Sequence, residues 1–300
     1  LTQVTERKQM YPSRFGYESP KTVEEAVALL DAHGGEAKVL AGGQSLVPMM
    51  RLRFAAPEMI IDINGIEDLH YNRVDPDGTV RIGALCRHED LEDNPAIAKA
   101  IPTIAAAAPL VADPIVRTRG TFVGSVCHAD PQGDWSATMT ALGGHIVAQG
   151  PKGKRDIPIA DFVIGPFQNT LEFNEIAIEA VIPAPKGVRV GNYLKLERRV
   201  GDFATASVAV TLDMQGDTVA YAGIALAGVG GRTINANAAA SALVGKKLTV
   251  ENIASVAAAV AAVAEPRTDH RGSSDYKRQI VKTFVERILT GLLNTSQKAA

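Results

Sequence analysis

Lys38-Val39-Leu40-Ala41-Gly42-Gly43-Gln44-Ser45-Leu46-Val47-Pro48-Met49-Met50 opens as a strand and closes as a helix. Val39, Leu40 and Ala41 suit the end of a buried strand, and Gly42-Gly43 then turns the backbone with no Cβ in the way. Gln44 and Ser45 follow, and Pro48 fits a first helical turn. A strand that gives way to two glycines and a short polar pair exposes several backbone N–H groups together, a nest that suits a diphosphate. Two glycines at a strand end also make an ordinary tight turn, and this stretch alone leaves both readings open.

A second glycine-bearing stretch follows at Arg119-Gly120-Thr121-Phe122-Val123-Gly124-Ser125-Val126-Cys127-His128-Ala129-Asp130-Pro131, with Asp134 just behind it, and a third at Gly201-Asp202-Phe203-Ala204. With these three motifs in this order, the chain resembles the FAD-binding medium subunits of molybdenum hydroxylases. That family includes the flavoprotein parts of carbon monoxide dehydrogenase and of xanthine and aldehyde dehydrogenases. The resemblance runs from about residue 15 to about residue 292. It implies an α+β fold, with a two-part FAD-binding domain of the PCMH type at 13–183, divided into 13–65 and 66–183. A C-terminal α+β flavoprotein domain at 184–300, a three-stranded antiparallel sheet with helices, would follow. Residues 1–12 lack periodicity and form a lead-in segment.

Composition narrows the function classes. With 46% hydrophobic residues in 300, the chain can bury a sizeable core. A net charge of −2 without a basic run argues against a nucleic-acid surface. The alanine-valine run at 253–264 falls short of the ~20 apolar residues that span a bilayer, and no secretory signal is recognisable, so a cytoplasmic location is expected. Cys86 and Cys127 are too few to hold an iron–sulfur cluster on four thiolates, so any such cluster belongs to another chain. Cys127, His128 and Asp130 are metal-ligand types without a full ligand set, and no metal site is assigned. Gly228-Val229-Gly230-Gly231 fails the dinucleotide fingerprint because Thr233 replaces its last glycine, and neither a Gly-x-Ser-x-Gly elbow nor a Walker loop occurs.

Thr22 and Glu25 form a capping signature ahead of Val23, Ala26, Val27 and Leu30 at helical spacing, and Gly34-Gly35 stops that helix. Strands are expected at 39–41, 59–63, 80–84, 145–148 and 176–182, and a hairpin joins 146–148 to 155–159. The alanine-rich 95–108 reads as helical with a break or first turn at Pro102. Pro183-Ala184-Pro185 is the linker candidate. Beyond it, 193–196, 206–212 and 219–227 read as strands and 234–243, 253–264 and 276–289 as helices. On the last helix Tyr276, Ile280, Val281, Phe284 and Ile288 form an apolar stripe, expected to pack on its own domain, while Lys277, Arg278, Lys282 and Arg287 give a basic side that suits an acidic neighbour.

Carried over position by position, the resemblance assigns Ala41, Gly42, Gly43, Gln44 and Ser45 to the phosphates of FAD, with Thr121, Gly124 and Ser125 gripping from the other side. Asp134 would accept from sugar hydroxyls, Leu171 and Ile176 would line the flavin ring, and Lys195 would lie near its polar edge. Lys195 also reads as a surface lysine on a strand. Phe203 stands where some relatives have tyrosine and would stack on a flavin face, or else begin a strand as a core residue. Val123 departs from the family's Thr-x-Gly-Gly-Asn/Asp pattern, so the backbone there must take an ordinary conformation or the loop must shift.

The implied function is electron transfer without acid–base chemistry on the organic substrate, and no catalytic residue is assigned. A large molybdenum-pterin subunit hydroxylates the substrate and determines its identity. A small subunit with [2Fe–2S] clusters relays electrons to the FAD of this chain, in a dimer of heterotrimers. The acceptor stays open between oxygen, NAD, a quinone and a cytochrome. Two other readings remain: a self-contained flavin oxidase or dehydrogenase of a small substrate, and a scaffold subunit that has lost its flavin.

Overall fold

The computed structural model describes residues 11–299, so residues 1–10 of the lead-in segment lie outside the described residues. Three short parallel strands, β1 (Gly16–Glu18), β2 (Ala37–Leu40) and β3 (Met59–Asp62), pair in the order β1-β3-β2. Helix α1 (Val23–His33) connects the first two and buries Ala26, Val27 and Leu30. Thr22 Oγ1 accepts from the Glu25 N–H at 3.1 Å, as the capping signature requires. The return arm is shifted by one residue: the Glu25 carboxylate takes the N–H of Lys21, at 2.8 Å. After β2 the chain turns through Gly43, at φ 74°, into α2 (Leu46–Arg51), with Pro48 in its first turn.

A five-stranded antiparallel sheet follows, built from β4 (Asn72–Val74), β5 (Val80–Gly83), β6 (His145–Gly150), β7 (Gly153–Pro158) and a later strand. Between β5 and β6 run α3 (His88–Glu92), α4 (Pro95–Ala100), α5 (Pro102–Ala107), α6 (Pro114–Arg117), α7 (Phe122–His128) and α8 (Asp134–Leu142). Pro102 divides the 95–108 region by standing at the first position of α5, where its missing N–H costs nothing. β6 and β7 form the expected hairpin, with Ile146 opposite Ile157. Beyond α9 (Ile159–Phe162) and the small ribbon of β8 (Val163–Gly165) and β9 (Gln168–Asn169), β10 (Ile176–Ile182) inserts centrally, giving β4-β5-β10-β6-β7. All seven of its residues are buried, which is why it reads as a continuous apolar run apart from Glu179.

The second glycine stretch is not a loop but the start of α7. Thr121 Oγ1 accepts from the Gly124 N–H at 3.2 Å, and Phe122, Val123 and Val126 are buried. Val123 is therefore right-handed helical, so the departure from the family pattern introduces no backbone strain there.

The C-terminal sheet has four strands where three are expected: β11 (Val188–Leu196), β12 (Ala206–Gln215), β13 (Thr218–Ala227) and β14 (Ile234–Asn235). Ile234 pairs with Leu226, so the helix expected from 234 begins only at α10 (Asn237–Ala240). Asn237 fixes that start, since its Oδ1 accepts from the Ile224 N–H at 2.9 Å. One face of the sheet, with Val208, Val210 and Leu212, packs under α11 (Val250–Ala262) and α12 (Ser274–Ala299) in a core of its own. The other face lies on α5 and α8 of the first core and is built from small residues such as Ala209 and Ala225. Gly223 shows how close that approach is: a Cβ there would stand 2.8 Å from the Ala141 carbonyl carbon.

On α12, Val281 and Ile288 are buried, Ile280 and Phe284 pack at the edge of the same core, and Tyr276 stays half exposed. Its basic side is partly turned inward. Lys277 is buried, with Nζ donating to Asp269 Oδ2 at 2.7 Å and to the Arg267 carbonyl at 3.1 Å.

Candidate functional site: a cleft between a glycine turn and a helix start

A cleft of about 720 Å³ lies between the Gly42-Gly43 turn and the N-terminus of α7. Every residue assigned to FAD from the sequence lines it, from Ala41 through Ser45 on one side and Thr121, Gly124 and Ser125 on the other to Asp134, Leu171, Ile176, Lys195 and Phe203 along its length. The two walls touch behind it. A Cβ on Gly42 would overlap the Arg119 carbonyl oxygen and stand 2.8 Å from Gly120 Cα, so only glycine lets the turn meet the segment that enters α7.

Anion-binding capacity follows from unused donors. The N–H groups of Gly43, Gln44 and Ser45 donate to no acceptor among the described residues. They lie opposite the first turn of α7, whose positive dipole end adds to the same field. These orphaned donors and the missing Cβ are what a dinucleotide diphosphate requires, so the chain's own geometry fits FAD. Two residues without a glycine's freedom hold left-handed backbone in the cleft lining, Ala112 at φ 50° and Phe167 at φ 58°, a clustering that marks sites where function outweighs local strain.

Asp134 and Lys195 behave differently from their expected roles. Asp134 Oδ1 accepts from Tyr193 O–H at 2.5 Å and Oδ2 from Lys195 Nζ at 3.1 Å. Burial pushes this carboxyl above its ordinary pKa even beside the lysine. Lys195 Nζ also donates to the Leu110 carbonyl at 2.8 Å and lies 3.4 Å from Glu197 Oε2, with 2% of its side chain exposed. It is neither a surface lysine nor a free cation, because it is buried and donates to the Leu110 carbonyl and to Asp134. The pair ties β11 to α8 and to the end of the α5 segment, and so braces one wall of the cleft. Phe203, 51% exposed, is not a core residue. Its N–H donates to Asp202 Oδ1 at 2.8 Å and its carbonyl accepts from Arg271.

His88 went unassigned at the sequence level and proves to be part of the lining. Trp135 Nε1–H donates to its Nδ1 at 2.9 Å, which places the ring hydrogen on Nε2, beside Gly120. Burial, with Arg117 and Arg87 nearby, lowers its pKa to about 4, so the ring is neutral at physiological pH. The signal in the chain, His88 opening a short helix, does not reveal a partner 47 positions away. Cys127 and His128 also line the cleft; His128 packs on Phe167 with ring centroids 5.1 Å apart, and Asp130 Oδ1 caps the Gln132 N–H. No group of metal-ligand residues able to hold an ion occurs among the described residues.

Residues 13–185 match the model of the FAD binding domain in molybdopterin dehydrogenase, and residues 192–292 that of the CO dehydrogenase flavoprotein C-terminal domain. The chain belongs to the FAD-binding medium subunits of molybdenum hydroxylases. Among these it is 43% identical over 280 residues to the carbon monoxide dehydrogenase medium chain of Hydrogenophaga pseudoflava, covering 93% of this chain and 97% of that one. The solved carbon monoxide dehydrogenase of the same organism, which lacks the Mo-pyranopterin moiety of its cofactor, superposes with a TM-score of 0.88 at 44% identity. That match covers 93% of this chain and 97% of the other. Quinoline 2-oxidoreductase from Pseudomonas putida 86 superposes at 0.86 with 30% identity, over 95% of this chain and 99% of the other. As a medium subunit of this family the chain is part of an oxidoreductase and carries its FAD-binding domain. No described helix is long and apolar enough to cross a membrane.

Proposed function

We propose that the chain is the electron-transferring flavoprotein of a three-subunit molybdenum hydroxylase. Electrons would pass from the [2Fe–2S] clusters of a small subunit to FAD in this cleft and on to an external acceptor, while a large molybdenum-pterin subunit oxidises the substrate. The observation that carries this reading is the meeting of two separate glycine-bearing segments around one set of unused N–H donors. We assign Ala41 to Ser45 and the Thr121-Gly124-Ser125 face to the diphosphate, Leu171 and Ile176 to the apolar walls, and Phe203 to the open end. Asp134 and Lys195 act chiefly on each other, holding the wall in place. Bound FAD supplies the exchange between two-electron and one-electron steps that such a relay needs.

The chain's residues would bind and orient the cofactor and exclude water from its buried portion. With only Cys86 and Cys127 in the chain, the four thiolates of a [2Fe–2S] cluster would have to come from a partner. The division into an FAD-binding unit at 13–183 and a C-terminal unit at 184–300 is supported by a core built wholly from residues beyond 183, while the first core also takes in Tyr193, Ala209, Ala225 and Ala227 of the C-terminal sheet. We further infer a dimer of heterotrimers located in the cytoplasm. Purification of the native complex tests the assignment. It should hold one FAD for each copy of this chain, with iron and molybdenum on two co-purifying chains. A chain that oxidises a small substrate unaided, or that carries no flavin absorbance, would refute it.

A further inference from the structure

Helix α3 opens with a side chain that the fold engages at only one of its two ring nitrogens. His88 Nδ1 accepts from Trp135 Nε1–H at 2.9 Å, which leaves the hydrogen of the neutral ring on Nε2. That Nε2–H donates to no acceptor among the described residues, although the residue is only 4% exposed and lines the cleft. The Val116 carbonyl, on the same side of Gly120, already accepts from the Gly120 N–H at 2.7 Å and from the Arg119 N–H at 3.1 Å. A buried donor without an acceptor costs free energy that a ligand's oxygen would recover.

The surroundings fix where that oxygen would lie. Backbone pairing holds His88 against the entry to α7: its N–H donates to the Gly120 carbonyl at 3.0 Å, and the Phe122 N–H donates to the Cys86 carbonyl at 3.1 Å. Gly120 leaves Nε2 uncovered, since a Cβ there would stand 2.6 Å from it. The Gly42 turn meets the same glycine, its own Cβ position lying 2.8 Å from Gly120 Cα. Trp135, which fixes the ring, follows Asp134 at the start of α8, and Asp134 in turn holds Lys195. His88 therefore stands between the N–H nest at 43–45 and the Asp134–Lys195 wall, along the stretch of cleft that leads from the diphosphate towards Phe203.

We propose that His88 Nε2–H donates to bound FAD, at an oxygen of the ribityl phosphate that joins the diphosphate to the ring, an inference that rests on the assignment of this cleft to FAD. Hydroxyl and phosphoryl oxygens both accept, so a neutral N–H serves this segment without adding the charge of a lysine or an arginine. Trp135 is then a positioning residue. Its bond keeps the ring hydrogen off Nδ1 and the donor turned to the cofactor, and Arg117 and Arg87 help to hold the ring neutral.

The test titrates FAD into the full chain freed of flavin, comparing wild type with H88N and H88Q. An asparagine amide can stand where Nδ1 does and a glutamine amide where Nε2 does, so H88N keeps the acceptor for Trp135 and loses the donor, whereas H88Q keeps the donor. H88N should bind FAD at least tenfold more weakly, and H88Q should recover most of that loss. In the wild-type chain labelled with ¹⁵N-histidine, the Nε2–H resonance of His88 should move on addition of FAD or FMN and stay in place with AMP, which lacks the ribityl phosphate. Wild-type affinity in H88N, or an Nε2–H resonance unmoved by saturating FAD, would overturn the donor and leave the FAD assignment of the cleft standing. A shift with AMP equal to that with FMN would overturn the placement on the ribityl phosphate. A wild-type chain that binds no FAD would refute the assignment of the cleft itself.

Discussion

Gly42→Ala is the sharpest single test of how the two halves of the cleft meet. The added Cβ would overlap the Arg119 carbonyl oxygen and lie 2.8 Å from Gly120 Cα and 3.0 Å from the Arg119 carbonyl carbon. All three are backbone atoms, so no side chain can rotate away. Restoring ordinary contacts of about 3.5 Å means separating the turn from the α7 entry by roughly 1 Å, a strain in the range of about 1–3 kcal/mol for overpacking. In a chain of this size that lowers the melting temperature by about 2–4 °C per kcal/mol. The same displacement moves the free N–H groups of Gly43 to Ser45 away from α7, so affinity for FAD should fall at least tenfold, about 1.4 kcal/mol. Gly35→Ala, where nothing lies within 4 Å, is the control. Thermal unfolding without FAD and quenching of flavin fluorescence on titration give the two quantities. A Gly42→Ala protein that melts like wild type and binds FAD with unchanged affinity would refute the contact argument.

Three further outcomes follow from buried groups. The pKa of His88, near 4 in the fold against 6.5 unfolded, makes the unfolded chain the stronger proton binder between those values. About 3 kcal/mol of stability, present above pH 6.5, should therefore be lost as pH falls towards 4. H88N, which keeps an acceptor for Trp135, should flatten that part of the urea-unfolding profile. For the Asp134–Lys195 pair, each single change, D134N or K195M, should destabilise by about 3–5 kcal/mol, while the double variant recovers part of the loss. Additive losses in the unfolding cycle would mean that the pair is not coupled. Burial raises the thiol pKa of Cys86 to about 12, so at pH 8 only about one in 10⁴ is thiolate. Cys86 should resist alkylation in the native protein and react on unfolding, as peptide mass spectrometry would show.

What could be deduced from the sequence divides by range. Local signals carried α1, the Pro102 break, the β6–β7 hairpin and the glycine turn, because a threonine cap, a proline at a first helical position and a left-handed glycine act within a few residues. α7 was not legible as a helix: Thr121-Phe122-Val123-Gly124 has weak helix propensity, and the burial of Phe122 and Val126 overrides it. Ile234 and Asn235 belong to a sheet edge only because Leu226 lies opposite. The same limit held at the site. The glycine motifs were placed by resemblance and order, but the occupation of Lys195 by Asp134, Leu110 and Glu197 depends on segments far apart in sequence. So does the bond from Trp135 that sets the tautomer of His88.

The most direct measurement is a structure of the chain crystallised with FAD. The diphosphate should lie against the N–H groups of Gly43, Gln44 and Ser45 on one side and the first turn of α7 on the other, with the ring system running towards Phe203. A dinucleotide bound elsewhere, or one gripped by only one of these two segments, would contradict the account.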